Sequence, residues 1–315
     1  MKVLLTGALG SLGSLVLESL LRQGHQVWAF DVKNKTNLSI AKQFNGVPDF
    51  NLCWGDIRDS AQVEQLVAKV DAIIHLAAII VPQSEANPEL ARQVNVGGTD
   101  NLVGAVNQME QKPLFLYCSS FAVFGPQSGP PPRVVEEQPI ATDHYTQHKI
   151  ESERMVSSLE SPWAILRLGG MADARMRHRG LDQAKYALAI AADTRFEYVH
   201  PKDAATAFVN CLTNESAHRK IHLIGGGPEC QVTHKDVLDS TLGAMGIMLK
   251  KSDFGSAPLY ADWADTSESQ RLLNFQNHSF EDFRSETFSA FRRVRPFLKP
   301  LSPLARRALM LMVRA

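Results

Sequence analysis

One turn near the start constrains this chain more than any other feature. Thr6-Gly7-Ala8-Leu9-Gly10-Ser11-Leu12-Gly13 follows the apolar run Lys2–Thr6 and opens an amphipathic segment, Ser11–Gln23. Glycine is needed where a chain turns tightly and where backbone must approach a pyrophosphate closely. A helix starting there turns its free N–H groups and positive dipole end toward the phosphates. By itself such a glycine spacing is only a tight turn of small residues; between a strand and a helix it reads as a dinucleotide site. Gly7, Gly10, Ser11, Leu12 and Gly13 are the candidate residues. Asp31 closes the next apolar run, Gln26–Phe30. A carboxylate there accepts hydrogen bonds from both ribose hydroxyls and repels a 2′-phosphate, so NAD is expected in preference to NADP. Lys33 and Lys35 follow closely and are placed to offset that repulsion.

The same rhythm continues. Apolar runs at Phe50–Trp54, Ala72–Leu76, Leu114–Ser119 and Trp163–Arg167 alternate with helical patterns at Ser60–Lys69, Pro88–Met109 and Asp143–Leu159. Such alternation builds βαβ units and a parallel sheet, and near-continuous apolar strands imply helices on both faces. The expected fold class is α/β, a Rossmann-type doubly wound parallel sheet. After Arg167 the alternation loosens. Helices are expected at Asp182–Ala192, Lys202–Thr213, Thr233–Met245 and Ser279–Arg292, with a strand at Ile221–Ile224. Ser267 and Gln270 fit a capping box opening one more short helix. This half reads as a smaller C-terminal lid packed on the main sheet. The Gly- and Pro-rich stretch from Gly125 to Pro132 reads as an exposed loop.

With 44% hydrophobic and 21% charged residues the composition is that of a soluble globular protein, and a net charge of zero gives no overall attraction for nucleic acid. The four cysteines, Cys53, Cys118, Cys211 and Cys230, are far apart and form no C-x-x-C pair. Disulfides and structural zinc are therefore not expected, nor any other metal, and a reducing cytoplasm fits. The Met1–Leu5 start imitates a signal peptide, but glycines interrupt its apolar run, and no apolar stretch is long enough to span a bilayer.

Tyr145-Thr146-Gln147-His148-Lys149 puts a phenol and an ammonium one helical turn apart on one face. A free tyrosine titrates near ~10, too high for a base at neutral pH. A cation about 4 Å away, at an effective dielectric of roughly 20, stabilises the phenolate by about 4 kcal/mol. That is enough to bring proton transfer near working pH.

The glycine turn, Tyr145 and Lys149 together resemble the short-chain dehydrogenase/reductase family, in its extended NAD-dependent epimerase/dehydratase branch. The resemblance runs from residue 1 to about residue 290. Gly55-Asp56-Ile57-Arg58-Asp59 looks like the family's adenine-holding segment, with Asp56 and Ile57 the contacting positions; as a bare acidic turn, its Asp59 or Ser60 is simply a good helix cap. His75-Leu76-Ala77-Ala78 resembles the strand end beneath the cofactor, which adds Leu76, Ala77 and Ala78. Asn95-Val96-Gly97-Gly98-Thr99 resembles the motif whose asparagine supports an active-site water and the lysine. Ser119-Ser120-Phe121-Ala122-Val123-Phe124-Gly125 looks like the serine-bearing strand end, with Ser120 in the catalytic position by its spacing to the glycine. The resemblance thus implies Ser120, Tyr145, Lys149 and Asn95 as catalytic residues, with Lys149 also on the nicotinamide ribose. It implies a homodimer burying the 88–109 and 143–159 helices. Tyr198 to Asp203 resembles the return to the main domain. The expected division is an NAD-binding domain over 1–167 with 200–226 returning to it, a substrate-binding lid over 168–199 and 227–298, and a basic tail over 299–315.

Three departures narrow the chemistry. Sugar-nucleotide 4,6-dehydratases carry Thr-Asp-Glu at the serine segment, whereas Ser120 is followed by Phe121 and Ala122, which transfer no protons. Nucleotide-sugar enzymes usually place an asparagine shortly after the sixth strand, where this chain has Arg167-Leu168-Gly169-Gly170-Met171, a run more like hydroxysteroid dehydrogenases and ketone reductases. His148 stands where serine is common and reads as a surface residue or a dimer contact. Specificity is assigned to lid-side residues Val81, Phe121, Met171 and His200, with His200 also able to serve a structural role. From Arg292 onward the tail carries seven basic residues and no acidic one. It reads as a terminal helix packed on the lid or, alternatively, as a weak membrane-surface contact. The expected function is an NAD(H)-dependent oxidoreductase interconverting a secondary alcohol and a ketone; the alternative is a nucleotide-sugar epimerase with tightly bound NAD. A non-catalytic NAD-binding regulator is a third class, against which the intact Ser120, Tyr145 and Lys149 set argues.

Overall fold

A computed structural model describes residues 1–127, 129–172, 181–293 and 295–314. Its strands are β1 (Lys2–Thr6), β2 (Gln26–Asp31), β3 (Phe50–Trp54), β4 (Ala72–His75), β5 (Leu114–Ser120), β6 (Trp163–Leu168), β7 (Arg195–Glu197), β8 (Lys220–Ile224) and β9 (Gln231–Thr233). Seven form one parallel sheet in the order β3-β2-β1-β4-β5-β6-β8, while β7 and β9 pair antiparallel. Successive strand residues point to opposite faces, and both faces are covered. Val3, Leu5, Ile74 and Leu116 pack with Leu12, Val16 and Leu17 of the first helix and Phe208 of the Pro201–Thr213 helix. Leu4, Ile73, Phe115 and Tyr117 pack on the other side with Val63, Leu102, Val106 and Val156. That double burial is why the strands read as continuous apolar runs. The order reverses between β1 and β4, and ligands of such sheets sit at that switch point beyond the strand C-termini.

The helix expected over 88–109 is broken in character: Pro88–Arg92 is α-helical, Gln93–Gly97 is a π-helical turn and Gly98–Asn107 is α-helical again. The extra residue re-aims Asn95, whose carbonyl accepts from the Thr99 hydroxyl at 2.7 Å and the Ser152 hydroxyl at 3.2 Å. The expected capping box at Ser267 and Gln270 does not form. Thr266 is the cap residue of the Ser267–Leu273 helix, and the Gln270 side chain instead accepts from the Phe275 and Gln276 N–H groups beyond the helix end. Of the exposed loop expected from Gly125 to Pro132, the described residues are non-helical; Pro126, Gly129, Pro130 and Pro132 are exposed and Gln127 and Pro131 half-buried, but Gly125 is buried.

In the lid, Ala172, Tyr198, Cys230, Val237, Phe280 and Phe283 form a small core. The glycines after β6 are explained here. A Cβ on Gly170 would stand 1.9 Å from the Phe196 ring, and one on Gly169 would stand 2.8 Å from the Glu197 carbonyl. The β6 end carries no side chains because β7 crosses it. The C-terminal helix, Ser302–Arg314, packs on the lid through Leu309 and Met310, near Leu188, Leu238 and Leu249. Among the described residues, no helix is long and apolar enough to cross a membrane.

Candidate active site

The turn after β1 is held closed by contacts that leave no room for side chains. Gly7 has φ +66°, and a Cβ there would lie 2.8 Å from the Ala77 nitrogen beyond β4; one on Gly13 would lie 2.0 Å from the Gly7 carbonyl. No side chain caps the Ser11–Arg22 helix and its first turn has no acidic residue, which leaves its positive end for an anion. Beside it runs a cleft of about 520 Å³ lined by Leu9, Gly10, Ser11 and residues 34–37. Asp31 stands at the tip of β2. Its Oδ2 accepts the Leu9 N–H at 2.8 Å, and its Oδ1 accepts the Val32 N–H at 2.8 Å and the Asn37 amide at 3.0 Å. Burial pushes its carboxyl pKa up while these bonds pull it down. A turn stripped of side chains, an uncapped helix and a carboxylate at the next strand tip fit a dinucleotide.

Beneath this turn lies a paired buried network. His75 bonds the Thr6 hydroxyl at 2.7 Å and the Thr99 hydroxyl at 3.0 Å, and burial holds its pKa down to about 3, so the ring is neutral. Thr6 in turn accepts the Ala77 N–H, fixing Leu76, Ala77 and Ala78 against the glycine turn. Asp56 is gripped by Arg58, with Arg58 Nη2 2.6 Å from Oδ2, and this holds its carboxyl below the usual range. Ile57 is buried under the helix behind it, where Gly98 makes room: a Cβ there would lie 2.7 Å from Ile57. Asp59 does cap its helix, accepting the Gln62 N–H.

Tyr145 and Lys149 share the inner face of the His144–Ser157 helix. Asp143 caps it, with a reciprocal capping box to Thr146. Glu85, from the short segment after cis-Pro82, accepts the Tyr145 N–H at 3.1 Å and the His144 N–H at 3.3 Å. Two carboxylates at a helix N-terminus suit its dipole, and they lock the turn that carries the phenol. Lys149 is buried, its Nζ donating to the Cys118 carbonyl at 2.6 Å, and lies 4.8 Å from the centre of the Tyr117 ring and 5.7 Å from that of Tyr145. Ser120 ends β5, its hydroxyl accepts the Ala122 N–H at 3.2 Å, and it stands close enough to the Tyr145 phenol to lower that group's pKa. Ser119 is buried and donates to Glu153, whereas Ser120 is half-exposed beside the phenol. The Tyr145 pKa shows two opposed effects: burial raises it, while the Lys149 ammonium and the Ser120 hydroxyl lower it. Burial has the larger effect, so the Tyr145 pKa lies above the ordinary tyrosine value, in contrast to the sequence-based expectation of a phenol poised near neutrality.

Other predicted residues have different employment. The Asn95 amide is engaged on both sides by the Ile79 backbone, at 2.7 and 2.8 Å, pinning the segment after β4. His148 is buried against Asn95, not on the surface, because the inner face of its helix is crowded with paired polar groups; burial lowers its pKa. Phe121 is buried with Phe124, Leu223 and Ala264. His200 caps the Pro201–Thr213 helix and faces Glu286 at 3.3 Å. Val81 is half-buried and Met171 exposed. Sequence reasoning missed Glu85 and the buried trio Ser119, Glu153 and Arg167, in which Arg167 donates to both Glu153 oxygens at 3.0 and 2.8 Å. Only an acidic residue on the inner face of a helix hinted at the latter. His200, Asp203 and His278 also converge, with ligand atoms within 4.8 Å of one another. Yet Asp203 accepts the His278 ring and the Asn277 and His278 N–H groups, so it works as a clasp between segments.

The sequence model of the NAD dependent epimerase/dehydratase family matches residues 3–225. The chain belongs to this family. It is 34% identical over 129 residues to CDP-paratose 2-epimerase of Salmonella typhi, covering 40% of this chain and 38% of that protein. It is 31% identical over 166 residues to 3-beta-hydroxysteroid dehydrogenase of Mycolicibacterium neoaurum, covering 49% and 42%. The chain thus spans about two fifths of these two relatives, and 70% of an uncharacterized epimerase/dehydratase of Staphylococcus saprophyticus at 28% identity, with 67% of this chain covered. In fold it is similar to UDP-glucuronic acid 4-epimerase of Bacillus cereus, solved with UDP-glucuronic acid and NAD (TM-score 0.79, 21% identity, 93% of this chain and 100% of that one). It is also similar to dTDP-glucose 4,6-dehydratase of Bacillus anthracis, solved with NAD (TM-score 0.76, 17% identity, 96% and 99%). Epimerases, dehydratases and dehydrogenases all stand among these neighbours.

Proposed function

We propose that this family member is an NAD(H)-dependent oxidoreductase interconverting a secondary alcohol and a ketone. The observation that carries the reading is a buried ammonium, Lys149, on the same helix face as the Tyr145 phenol, with Ser120 beside that phenol. The backbone of Gly7 and Gly10 to Gly13 would hold the cofactor pyrophosphate and Asp31 its adenosine ribose. NAD, when bound, supplies or accepts the hydride. Ser120 and Tyr145 both donate to the substrate oxygen as negative charge builds there. In ketone reduction Tyr145 gives its proton to that oxygen, and Lys149 stabilises the phenolate left behind. Alcohol oxidation runs the proton the other way and needs the phenolate. Because burial keeps the phenol protonated, oxidation should accelerate as pH rises toward the Tyr145 pKa and reduction should slow. Phe121 is packed in a small apolar cluster and Ala122 carries no titratable group, so these two positions supply no acid/base pair for elimination of water.

A second reading, a nucleotide-sugar epimerase that oxidises and re-reduces one carbon, draws on the similarity to curated epimerases. Net redox separates the two. With purified protein and panels of ketones, sterols and nucleotide sugars, the first reading expects NADH change equal to product formed. Product with unchanged NADH would select the epimerase, and no turnover on any panel would leave a nucleotide-binding regulator. The reading includes a homodimer built on the 88–107 and 144–157 helices, checked by sedimentation, and a reducing cytoplasm suited to four free cysteines.

A further inference from the structure

We propose that residues 292–314 form a docking surface for an anionic phospholipid bilayer. The chain as a whole has no net charge, yet Arg292, Arg293, Arg295, Lys299, Arg306, Arg307 and Arg314 fall in its last stretch with no carboxylate among them. The terminal helix uses one face for the protein: Leu309 and Met310 pack inward, and Arg306 donates to Asp253 at 2.7 Å. Its other face is apolar and open. Leu304, Ala308 and Leu311 follow at i, i+4 and i+7, a spacing that puts them on one side. Leu304 is 66% and Leu311 65% exposed, and Phe297, just before the helix, is 77% exposed. Arg292, Arg293 and Arg307 are exposed, and among the described residues none has an ion-pair partner. Next to them a cleft of about 440 Å³ is lined by Phe288, Ser289, Arg292, Arg295 and Pro296, with the Arg295 guanidinium 4.9 Å from the Phe288 ring centre.

Open aliphatic side chains beside unpaired cations fit a surface that is anionic at the headgroups and apolar beneath them. A second copy of the chain fits poorly, because a two-fold interface would set this acid-free segment against itself. A nucleic acid fits poorly as well, since Leu304 and Leu311 offer nothing for bases to stack on. This inference is independent of the reaction catalysed.

The test uses full-length protein and sedimentation with phosphatidylcholine vesicles, with and without phosphatidylserine. Binding is expected only to the mixed vesicles. Leu304→Asp with Leu311→Asp should weaken it at least about tenfold, and Arg292→Glu with Arg293→Glu and Arg307→Glu should do likewise and abolish its salt dependence. All five positions are exposed, so unchanged melting temperature and turnover certify the fold. The proposal is overturned if mixed vesicles bind no protein, or if binding ignores both sets of changes. It is equally overturned if Leu311→Asp dissolves a dimer without any vesicle binding, or if duplex DNA binds and the leucine changes leave that binding intact.

Discussion

Around β1, β4 and β5 most of the interior is apolar, with Val3, Leu5, Ile74 and Leu116 on one face and Leu4, Ile73 and Phe115 on the other. The polar groups at the strand ends, Thr6, His75 and Ser119, are all hydrogen-bonded. Between β7, the turn after β8 and the Trp263 segment the interior is charged. Glu197 is fully buried and accepts the Gly227 N–H at 2.9 Å and the Ala264 N–H at 3.3 Å, and Asp262 receives both Arg133 and Arg195. Apolar burial is non-directional and accumulates at roughly 25 cal/mol per Å². A buried ion pair needs its partner, and losing one side costs about 3–5 kcal/mol. The sheet therefore offers the cofactor turn a platform held mainly by diffuse apolar packing, while the lid depends more on a few specific pairs. The proposed chemistry sits on the platform, and the pairs hold the lid.

The largest expected effect tests whether chemistry is confined to the platform. Tyr145→Phe should lower kcat on the order of a thousandfold, within the range for general acid/base groups, with NADH affinity nearly unchanged. Loss of NADH binding instead would make the phenol a structural group. Next, Asp262→Ala leaves Arg195 without its carboxylate and Arg133 with that of Glu137 alone, and should destabilise by about 3 kcal/mol in chemical denaturation. If stability holds while turnover vanishes, the lid pairs belong to the site and the contrast fails.

Glu197 gives a smaller, pH-dependent effect. Burial pushes its carboxyl from 4.5 up to about 7, so the folded state holds a proton that the unfolded chain releases. Its contribution to stability is full below 4.5 and lost as pH rises to about 7. Across that window the wild type should lose about 3 kcal/mol relative to Glu197→Gln, and parallel curves would remove Glu197 from the account. Last, Glu85→Ala removes the carboxylate from the Tyr145 and His144 N–H groups. It should cost about 1 kcal/mol, seen as roughly a fivefold fall in kcat with substrate KM little changed.

Much of the platform was legible because its rules are local. A parallel strand buried on both faces is a run of apolar residues, and the glycines of the turn declare themselves next to such a run. Spacing to Gly125 pointed to Ser120 rather than Ser119, and in the structure Ser119 donates to Glu153 while Ser120 stands beside Tyr145. The lid was not legible in this way. Glu197 meets Gly227 and Ala264, and Asp203 meets His278, across separations no periodicity encodes. The capping box expected at Ser267 failed because Gln270 serves the Phe275 turn instead.

Taken by itself, the sequence determined the α/β class, the glycine turn, the carboxylate at the β2 tip and the Tyr145/Lys149 face, since each follows from neighbours a few residues apart. Tertiary structure alone decided the balance of forces on those groups. Burial outweighs Lys149 and keeps the phenol protonated. The π-turn at Asn95 and the buried His148 come from helices packing against one another. Gly169 and Gly170, open to several readings as letters, are glycines because β7 passes over them. Desolvation and steric exclusion depend on everything that surrounds a residue, and only the folded chain supplies those surroundings.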